Sequence, residues 1–380
     1  MCKYIQPRTQ FFVLINNFHF NKLIGLLKLT SQIKVLFMIK VIGTVITAVA
    51  LLVGCGENPA ETTKATDTVK EAVKPIDINM SLVFTQNELL TQELIKASDK
   101  IRERTDGSVN IKVYPGGQLP VYKDNLEQVV NGADWIAVED LSYLGDYVPD
   151  FAALAGPMLY NSYDEYLAMM DTQLVADLTA QVEAKGIKVL NADYMFGFRH
   201  MITNKVIRNS ADMAGMRIRV PGSQLFISTL ASMGAAPASL PFPETYAGVQ
   251  QGVVDGLEGS ILTMYSTKIY EVAKNMSLTK HFLGTVGLYI SPTVWDKFTP
   301  EQQQIINEEL AAGATSNTKE LVKLDAEYTQ KLEELGVKFN EVDSAEFSKL
   351  TADVYNQFPA WSPDIRAKIG AELEKIRAAQ

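Results

Sequence analysis

Residues 77–117, DINMSLVFTQNELLTQELIKASDKIRERTDGSVNIKVYPGG, determine the fold class because their hydrophobic period changes twice within one stretch. Apolar residues first alternate as in a strand, then recur at helical spacing up to Asp106-Gly107, and then alternate again up to Pro115-Gly116-Gly117. The residues that carry these patterns are Met80, Leu82 and Phe84, then Leu90, Leu94, Ala97 and Ile101, then Val109, Ile111 and Val113. This order predicts a βαβ unit and an α/β fold whose open sheet is covered by helices.

A second strong helix signal lies near the C-terminus. Thr299, Pro300 and Gln302 supply a cap, a proline at the first helical position and a glutamine at the capping-box position. The helical pattern then continues to Leu335, which corresponds to roughly 54 Å at 1.5 Å per residue. Because one lobe is narrower than that, two interpretations remain: two helices separated at Gly313, or one helix that lies across two lobes.

The N-terminus has the form of a bacterial lipoprotein signal. An apolar stretch of 13 residues, Val41–Val53, follows basic residues and precedes Gly54-Cys55, so cleavage before Cys55 would place a lipid on its thiol. The stretch is shorter than the about 20 residues that span a bilayer as a helix, and a membrane anchor made by the wider apolar N-terminus is the alternative. We expect a signal peptide over residues 1–54, with Met38 as an alternative translation start, and a lipidated cysteine with a flexible tether over residues 55–76.

Charge and cysteine content exclude several classes of function. Six of the 35 basic residues and none of the 44 acidic residues lie in residues 1–54, so the remainder carries 29 basic residues and a formal net charge of −15. Such a chain does not attract nucleic acid through its general field. Cys2 precedes Cys55, which leaves one cysteine after cleavage, and the sequence predicts no disulfide, no metal site and no cofactor.

Catalytic residues are not indicated either. His200 and His281 have no Cys, Ser or acidic partner at a recognisable catalytic spacing, and we interpret each as a neutral or surface histidine. Glu139 and Asp140 are neighbours on a predicted strand, so their side chains should point to opposite faces. We therefore predict that the protein is not an enzyme.

A set of motifs extends over nearly all of the chain after the tether, and the segment 211–256 is the most specific part. The motifs are Thr105-Asp106-Gly107, Tyr114 to Leu119, Gly132-Ala133-Asp134, Gly197-Phe198-Arg199, Thr203-Asn204-Lys205, Ala211 to Pro221, Leu230 to Gly234, Glu244-Thr245-Tyr246, Gln250 to Gly256 and Leu278 to His281. Through them the chain resembles the solute-binding proteins of TRAP (tripartite ATP-independent periplasmic) transporters, of the DctP type.

The resemblance implies a two-lobed periplasmic-binding-protein fold in which each lobe is an open sheet flanked by helices. It also implies one long C-terminal helix that spans both lobes, which favours the single-helix interpretation. Two lobes agree with a length that exceeds what one core usually covers. We expect lobe 1 to comprise residues 77–197 and 286–325, and lobe 2 to comprise residues 198–285 and 326–380 with the C-terminal helices.

The resemblance further implies a binding site for a carboxylate. Arg219 stands at the position of the family's signature arginine, and Arg199 matches a second arginine of many members. Phe242 fits an aromatic position beside the ligand, Glu139 an acidic position on the opposite lobe, and Asn87 a polar position near the N-terminus.

Guanidinium chemistry supports this assignment, because its planar fork of donors matches a carboxylate and stays charged at any relevant pH. Alternation places Arg217 and Arg219 on the same strand face, so periodicity does not select between them. The family register selects Arg219, and a salt bridge at a strand edge is the alternative role for this side chain.

The chain departs from the family at Gly259-Ser260, where members commonly have asparagine and proline. Gly259 is expected to leave space and remove a donor, which Ser260 or a water could replace, or the ligand could be bulkier than a four-carbon acid. Four residues would suit an apolar or aromatic ligand tail, although apolar residues at strand spacing are more often core. They are Met195, Phe196, Phe198 and Trp135.

Together these features predict a lipid-anchored binding protein that captures an organic acid by hinge closure and delivers it to an ion-driven TRAP permease. It is expected to act as a monomer at the extracytoplasmic face or in the periplasm. Two other classes of function stay open: a sensory lipoprotein that signals to a membrane receptor kinase, and an uncharacterised lipoprotein enzyme, which would turn over its ligand.

Overall fold

The computed structural model describes residues 74–379, so the predicted signal peptide, Cys55 and nearly all of the tether lie outside the described residues. The described part contains one sheet of nine strands flanked by helices. The strands are β1 Ile76–Ser81, β2 Val109–Tyr114, β3 Trp135–Glu139, β4 Lys188–Thr203, β5 Arg217–Val220, β6 Ala236–Ser239, β7 Gly256–Ser260, β8 Asn275–Ile290 and β9 Lys338–Asn340. The predicted α/β class is confirmed.

The βαβ unit forms as its periodicity predicts. Strand β1 pairs in parallel with β2, and the helix Leu89–Arg104 connects them with Leu90, Leu94 and Ile101 buried against the sheet. The first strand ends at Ser81, earlier than the alternating pattern does, although Leu82 and Phe84 beyond it are buried.

The nine strands form one continuous sheet. Their order is β2-β1-β3-β8-β4-β7-β5-β6, and β9 also pairs with β8. Strands β4 and β8 have 16 residues each and pair with each other along most of their length. Their register shifts at several points between Val189 and Met201. The predicted lobes are therefore joined through these two strands, and the lobe boundaries stay a prediction.

The long C-terminal helix is one helix, Pro300–Glu334, as the single-helix interpretation states. Thr299 and Gln302 form the predicted capping box at its start. Gly313 does not break the helix; it lets the helix approach the sheet, because a Cβ there would lie 2.3 Å from Tyr194 Oη. That hydroxyl donates to the Leu310 carbonyl oxygen at 3.0 Å.

The other helices cover the faces and ends of the sheet. The α-helices are Leu89–Arg104, Lys123–Val130, Pro149–Ala152, Tyr163–Met170, Gln173–Glu183, Ser210–Met213, Gln224–Ser232, Thr245–Gln250, Ile261–Ser266, Pro292–Trp295, Pro300–Glu334, Ser344–Thr351 and Ile365–Ala379. The 3₁₀ helices are Leu141–Asp146, Ala153–Ala155, Phe242–Glu244, Ile269–Glu271 and Val354–Gln357. Among residues 74–379, no helix combines the length and the apolar character needed to cross a membrane.

Candidate functional site

An open cavity, with about 570 Å³ of empty space that includes solvent at its mouth, is lined by residues of β3, β4, β5, β7 and β8. We call it the central cavity. It brings together residues from both predicted lobes. Of the seven residues predicted to bind ligand, it is lined by Arg219, Arg199, Glu139, Phe242 and Gly259.

Arg219 is buried in this cavity and has no carboxylate partner among the described residues. Its Nε donates to the Leu240 carbonyl oxygen at 2.8 Å, and its Nη2 donates to Tyr122 Oη at 3.3 Å. The side chain is 2% exposed, and burial lowers the pKa of Arg219 from its usual value. A buried cation that lacks a counter-ion is unfavourable, so this corner of the cavity favours an anion.

Arg217, two residues before Arg219 in β5, has a different environment, although strand alternation places both side chains on the same face. Arg217 is exposed and pairs with Asp255 through an N–O distance of 3.2 Å. The salt bridge at a strand edge that was the alternative role for Arg219 is thus the role of Arg217.

Tyr122 links the two sides of the cavity. Its hydroxyl accepts from Arg219 Nη2 and from the Phe242 N–H at 3.1 Å. Its backbone has a φ of 62°, an uncommon conformation for a non-glycine residue, which costs about 1–3 kcal/mol where it occurs. Glu139 Oε1 accepts the Tyr122 N–H and so offsets part of this strain. The strained backbone holds the tyrosine hydroxyl against Arg219.

Glu139 ends β3 and is fixed by a chain of hydrogen bonds. Trp135 Nε1 donates to Asn125 Oδ1 at 2.6 Å, and Asn125 Nδ2 donates to Glu139 Oε1 at 2.8 Å. Burial raises the pKa of Glu139 to about 8, because these hydrogen bonds only partly offset the loss of water. A carboxyl group in this state can both donate to and accept from a ligand hydroxyl.

Arg199 lines the same cavity but is paired. Its Nε and Nη2 donate to the two carboxylate oxygens of Glu258, each at 2.5 Å, and both side chains are buried. The guanidinium also lies between the rings of Phe196 and Phe226, 5.1 Å and 4.9 Å from their centroids. Burial alone would raise the pKa of Glu258, but the charge of Arg199 and the hydrogen bonds from Arg199 and His281 together outweigh it and lower the pKa to about 2. Arg199 therefore offers a ligand little net positive charge.

The two histidines lie behind this pair and are buried, so the expectation of surface histidines is wrong while that of neutral ones agrees with their environment. His281 Nε2 is 3.5 Å from Glu258 Oε2, and its Nδ1 is 2.8 Å from Thr279 Oγ1. Burial lowers the pKa of His281, and it lowers that of His200 to about 3.

Gly259 lines the cavity with its backbone, and the expectation that its missing side chain leaves space is wrong. A Cβ at this position would lie 2.6 Å from Met264 Cε, so the methionine fills that volume. Ser260 does not line the cavity. Its Oγ caps the helix Ile261–Ser266 by accepting the Thr263 N–H at 3.2 Å.

Asn87 is exposed and does not line the cavity. The buried residue of this loop is its neighbour Glu88, whose Oε2 accepts from Thr263 Oγ1 at 2.8 Å. Burial raises the pKa of Glu88 to about 7. Glu88, the residue after the predicted Asn87, thus contacts the opposite predicted lobe.

Of the four residues considered for a ligand tail, Phe196 lines the cavity. Met195 and Trp135 belong to the buried core, and Phe198 stacks on Tyr163 at 5.3 Å between ring centroids. Phe242 lies beside Arg219, with its ring centroid 5.2 Å from Arg219 Cζ.

Sequence reasoning missed several residues of the cavity, among them Glu258, Tyr122 and Tyr143. Glu258 directly precedes Gly259-Ser260, but an isolated glutamate in sequence gives no sign that it is buried. The tyrosines follow no pattern that separates them from others. Within residues 74–379, no group of three or more His, Cys, Asp or Glu side chains is arranged to hold a metal ion.

The cavity therefore combines one unpaired cation with hydroxyl and carboxyl groups on the facing wall. Arg219 can hold an anionic group, whereas Glu139, Tyr122 and Tyr143 can exchange hydrogen bonds with hydroxyls. Such a site fits a small molecule with a charged end and a polar body.

Comparison with known proteins identifies relatives over most of the described chain. The family model of bacterial extracellular solute-binding proteins, family 7 (DctP), matches residues 80–360. A TRAP periplasmic solute-binding protein from Fusobacterium nucleatum with bound sn-glycerol-3-phosphate is 48% identical, with a TM-score of 0.79; the match covers 80% of this chain and 98% of that one.

Two further solved structures show the same architecture with other ligands. The protein from Desulfovibrio salexigens, in complex with diglycerolphosphate, is 46% identical with a TM-score of 0.79, and covers 80% of this chain and 98% of its own. The protein from Actinobacillus succinogenes, with bound L-galactonate, is 29% identical with a TM-score of 0.76, and covers 79% and 99%. The relatives are solute-binding proteins of transport systems and not enzymes.

Proposed function

Since the chain belongs to family 7 of the bacterial extracellular solute-binding proteins, the DctP-type proteins of TRAP transporters, we propose that it captures a small hydroxylated organic anion. The observation that carries this proposal is the buried Arg219 without a carboxylate partner among the described residues. Its charge is compensated when an anionic ligand enters the central cavity, and Glu139 and Tyr122 bind the hydroxyls of that ligand.

Two ligand classes meet this description. The planar fork of Arg219 suits a carboxylate such as the L-galactonate of the relative at 29% identity. The relatives at 48% and 46% identity hold glycerol phosphates instead. Both classes pair one anionic group with a polyol body, which agrees with a cavity that has one unpaired cation and several hydrogen-bonding groups.

Capture is proposed to occur by closure of the two predicted lobes over the ligand. The hydrogen bonds from Arg219 and Phe242 to Tyr122, and from Thr263 to Glu88, cross between these lobes. The bound form then docks on an ion-driven TRAP permease, while a lipid on Cys55 keeps the protein at the membrane. A Cys55→Ser variant that still fractionates with membranes would contradict the anchor.

Thermal-shift measurements on the mature protein test the ligand proposal. The panel contains sn-glycerol-3-phosphate and L-galactonate, with glycerol and L-galactonamide as neutral controls. A ligand that binds the native state raises the melting temperature as its concentration exceeds its Kd. We expect a shift with at least one anion and none with the neutral compounds. Equal shifts with anions and neutral compounds, or no shift with any, would reject the proposal.

A further inference from the structure

Tyr143 carries the feature that the proposed function leaves unexplained. Its hydroxyl is a buried polar group without a hydrogen-bond partner, and its residue is 3% exposed. Several side chains in residues 74–379 have a buried polar atom without a hydrogen-bond partner. Tyr143 is the one among them that lines the central cavity. An unsatisfied buried hydroxyl is unfavourable, so a ligand that accepts from it gains affinity.

The ring of Tyr143 is held in place by its surroundings. It lies in the 3₁₀ helix Leu141–Asp146 directly after β3, where Asp140 accepts the Ser142 N–H at 2.9 Å. Its centroid is 5.7 Å from that of Tyr122. The hydroxyl is therefore presented from a fixed wall rather than from a loop that could turn it away.

Tyr143 lines the central cavity together with the groups whose charges act on its hydroxyl. The ring also borders a second cavity beside Trp361. The groups whose charges influence the titration of the hydroxyl are Glu139, Tyr122, Asp140 and Arg219, all of which line the central cavity. Burial raises the pKa of Tyr143 above its usual value, so the group stays protonated and can donate.

We propose that the Tyr143 hydroxyl is a specificity-determining donor that selects a phosphate monoester over a carboxylate as the anionic group, an inference that rests on the proposed function. The fork of Arg219 engages two ligand oxygens, which are all that a carboxylate has. A phosphate monoester has a third terminal oxygen, and that oxygen needs a donor other than Arg219 in the same cavity. Tyr143 supplies it.

Calorimetric titration with a matched ligand pair tests this assignment. The ligands are sn-glycerol-3-phosphate and 3,4-dihydroxybutyrate, which carry phosphate and carboxylate on similar polyol frames. Tyr143→Phe should weaken phosphate binding about 10- to 100-fold, the range for losing a hydrogen bond to a charged group, and should change carboxylate binding less than about 3-fold. Because the variant removes an unsatisfied hydroxyl, the melting temperature without ligand should not fall.

Tyr289→Phe is the matched control. Its hydroxyl is also buried without a partner, but the residue does not line the central cavity, so both affinities should be retained. Equal loss for both ligands with Tyr143→Phe, or no loss for either, would overturn the role of Tyr143 while leaving the proposed function intact. Wild-type protein that binds 3,4-dihydroxybutyrate or L-galactonate but not the phosphate would also overturn it. Binding of no anion at all would reject the proposed function itself.

Discussion

Arg199 and Arg219 lie in one cavity and are both buried, yet they face different partners. Arg199 is held by Glu258 through two hydrogen bonds, whereas Arg219 contacts a backbone carbonyl oxygen and a tyrosine hydroxyl. The charge of Arg199 is neutralised by a carboxylate of the same chain, whereas the charge of Arg219 has no such partner among the described residues. Burial in a cleft therefore does not by itself mark an arginine for ligand binding, and it is the lack of an internal counter-ion that singles out Arg219 as the proposed ligand group.

The largest expected effect tests the unpaired side of this comparison. Arg219→Met should reduce ligand binding by about 3–6 kcal/mol, since two hydrogen bonds to a charged group are lost, and the ligand-induced thermal shift should disappear. Without ligand, the melting temperature should stay or rise, because an uncompensated buried charge is removed. An unchanged thermal shift with ligand would refute the role of Arg219.

The next effect tests the paired side. Glu258→Leu should lower the free energy of unfolding by about 3–5 kcal/mol, because Arg199 is left buried without its partner. The double variant Arg199→Met with Glu258→Leu should recover most of this loss, since apolar side chains often replace a buried pair at little cost. Urea unfolding measures both. If the double variant is no more stable than Glu258→Leu, the loss of stability does not come from the unpaired charge of Arg199.

A smaller effect is expected at Gly259, next to the paired corner. Gly259→Asn should cost about 1–3 kcal/mol of stability through overpacking against Met264, and should not improve ligand affinity, because the new side chain points toward Met264. Met264→Leu, which shortens the obstructing side chain, should restore part of the stability. Tighter ligand binding by Gly259→Asn would show that the asparagine common in the family is compatible with this cavity.

The last prediction concerns the pH dependence of stability. Its sign differs between Glu258, which pairs with Arg199, and Glu139, which lines the cavity with Arg219. The pKa of Glu258 is lowered to about 2, so its contribution to stability is present above the usual value of 4.5 and is lost as pH falls from there through about 2. The pKa of Glu139 is raised to about 8, so stability is highest below 4.5 and declines as pH rises through about 8.

Each group changes stability by at most about 1.4 kcal/mol per pH unit between its two pKa values. Urea unfolding between pH 5 and pH 8.5, a range set by these pKa values, should show a decline that Glu139→Gln makes shallower. Glu88, with a pKa of about 7, titrates in the same window, and Glu88→Gln is the companion variant. An identical slope in wild type and Glu139→Gln would contradict the raised pKa.

Periodicity alone predicted the local elements, because strand and helix patterns depend on neighbouring residues. The βαβ unit and the capped start at Thr299 are examples. The choice between one and two C-terminal helices required the family resemblance, since whether Gly313 breaks a helix depends on Tyr194 across the interface.

Some features of the site could likewise be predicted before the structure was known, and others could not. Arg219 was selected by family register, whereas the pairing of Arg199 with Glu258 depends on how β4 and β7 align, and no local pattern contains that register. Likewise, the obstruction of Gly259 by Met264 depends on how the helix Ile261–Ser266 folds back. Tyr143 is recognisable only after its neighbours are placed, because what distinguishes it is a missing partner.

The position of β8 in the sheet has a consequence for how the chain reaches its native state. This strand lies between β3 and β4, yet it is formed by residues Asn275–Ile290, after all but β9 of the other strands have been synthesised. The early strands β1, β2 and β3 cannot join β4 until β8 arrives, so the central ladder forms late and over long sequence separations, which slows folding. A chain whose middle strand comes late in the sequence therefore stays incompletely folded until most of it has been synthesised.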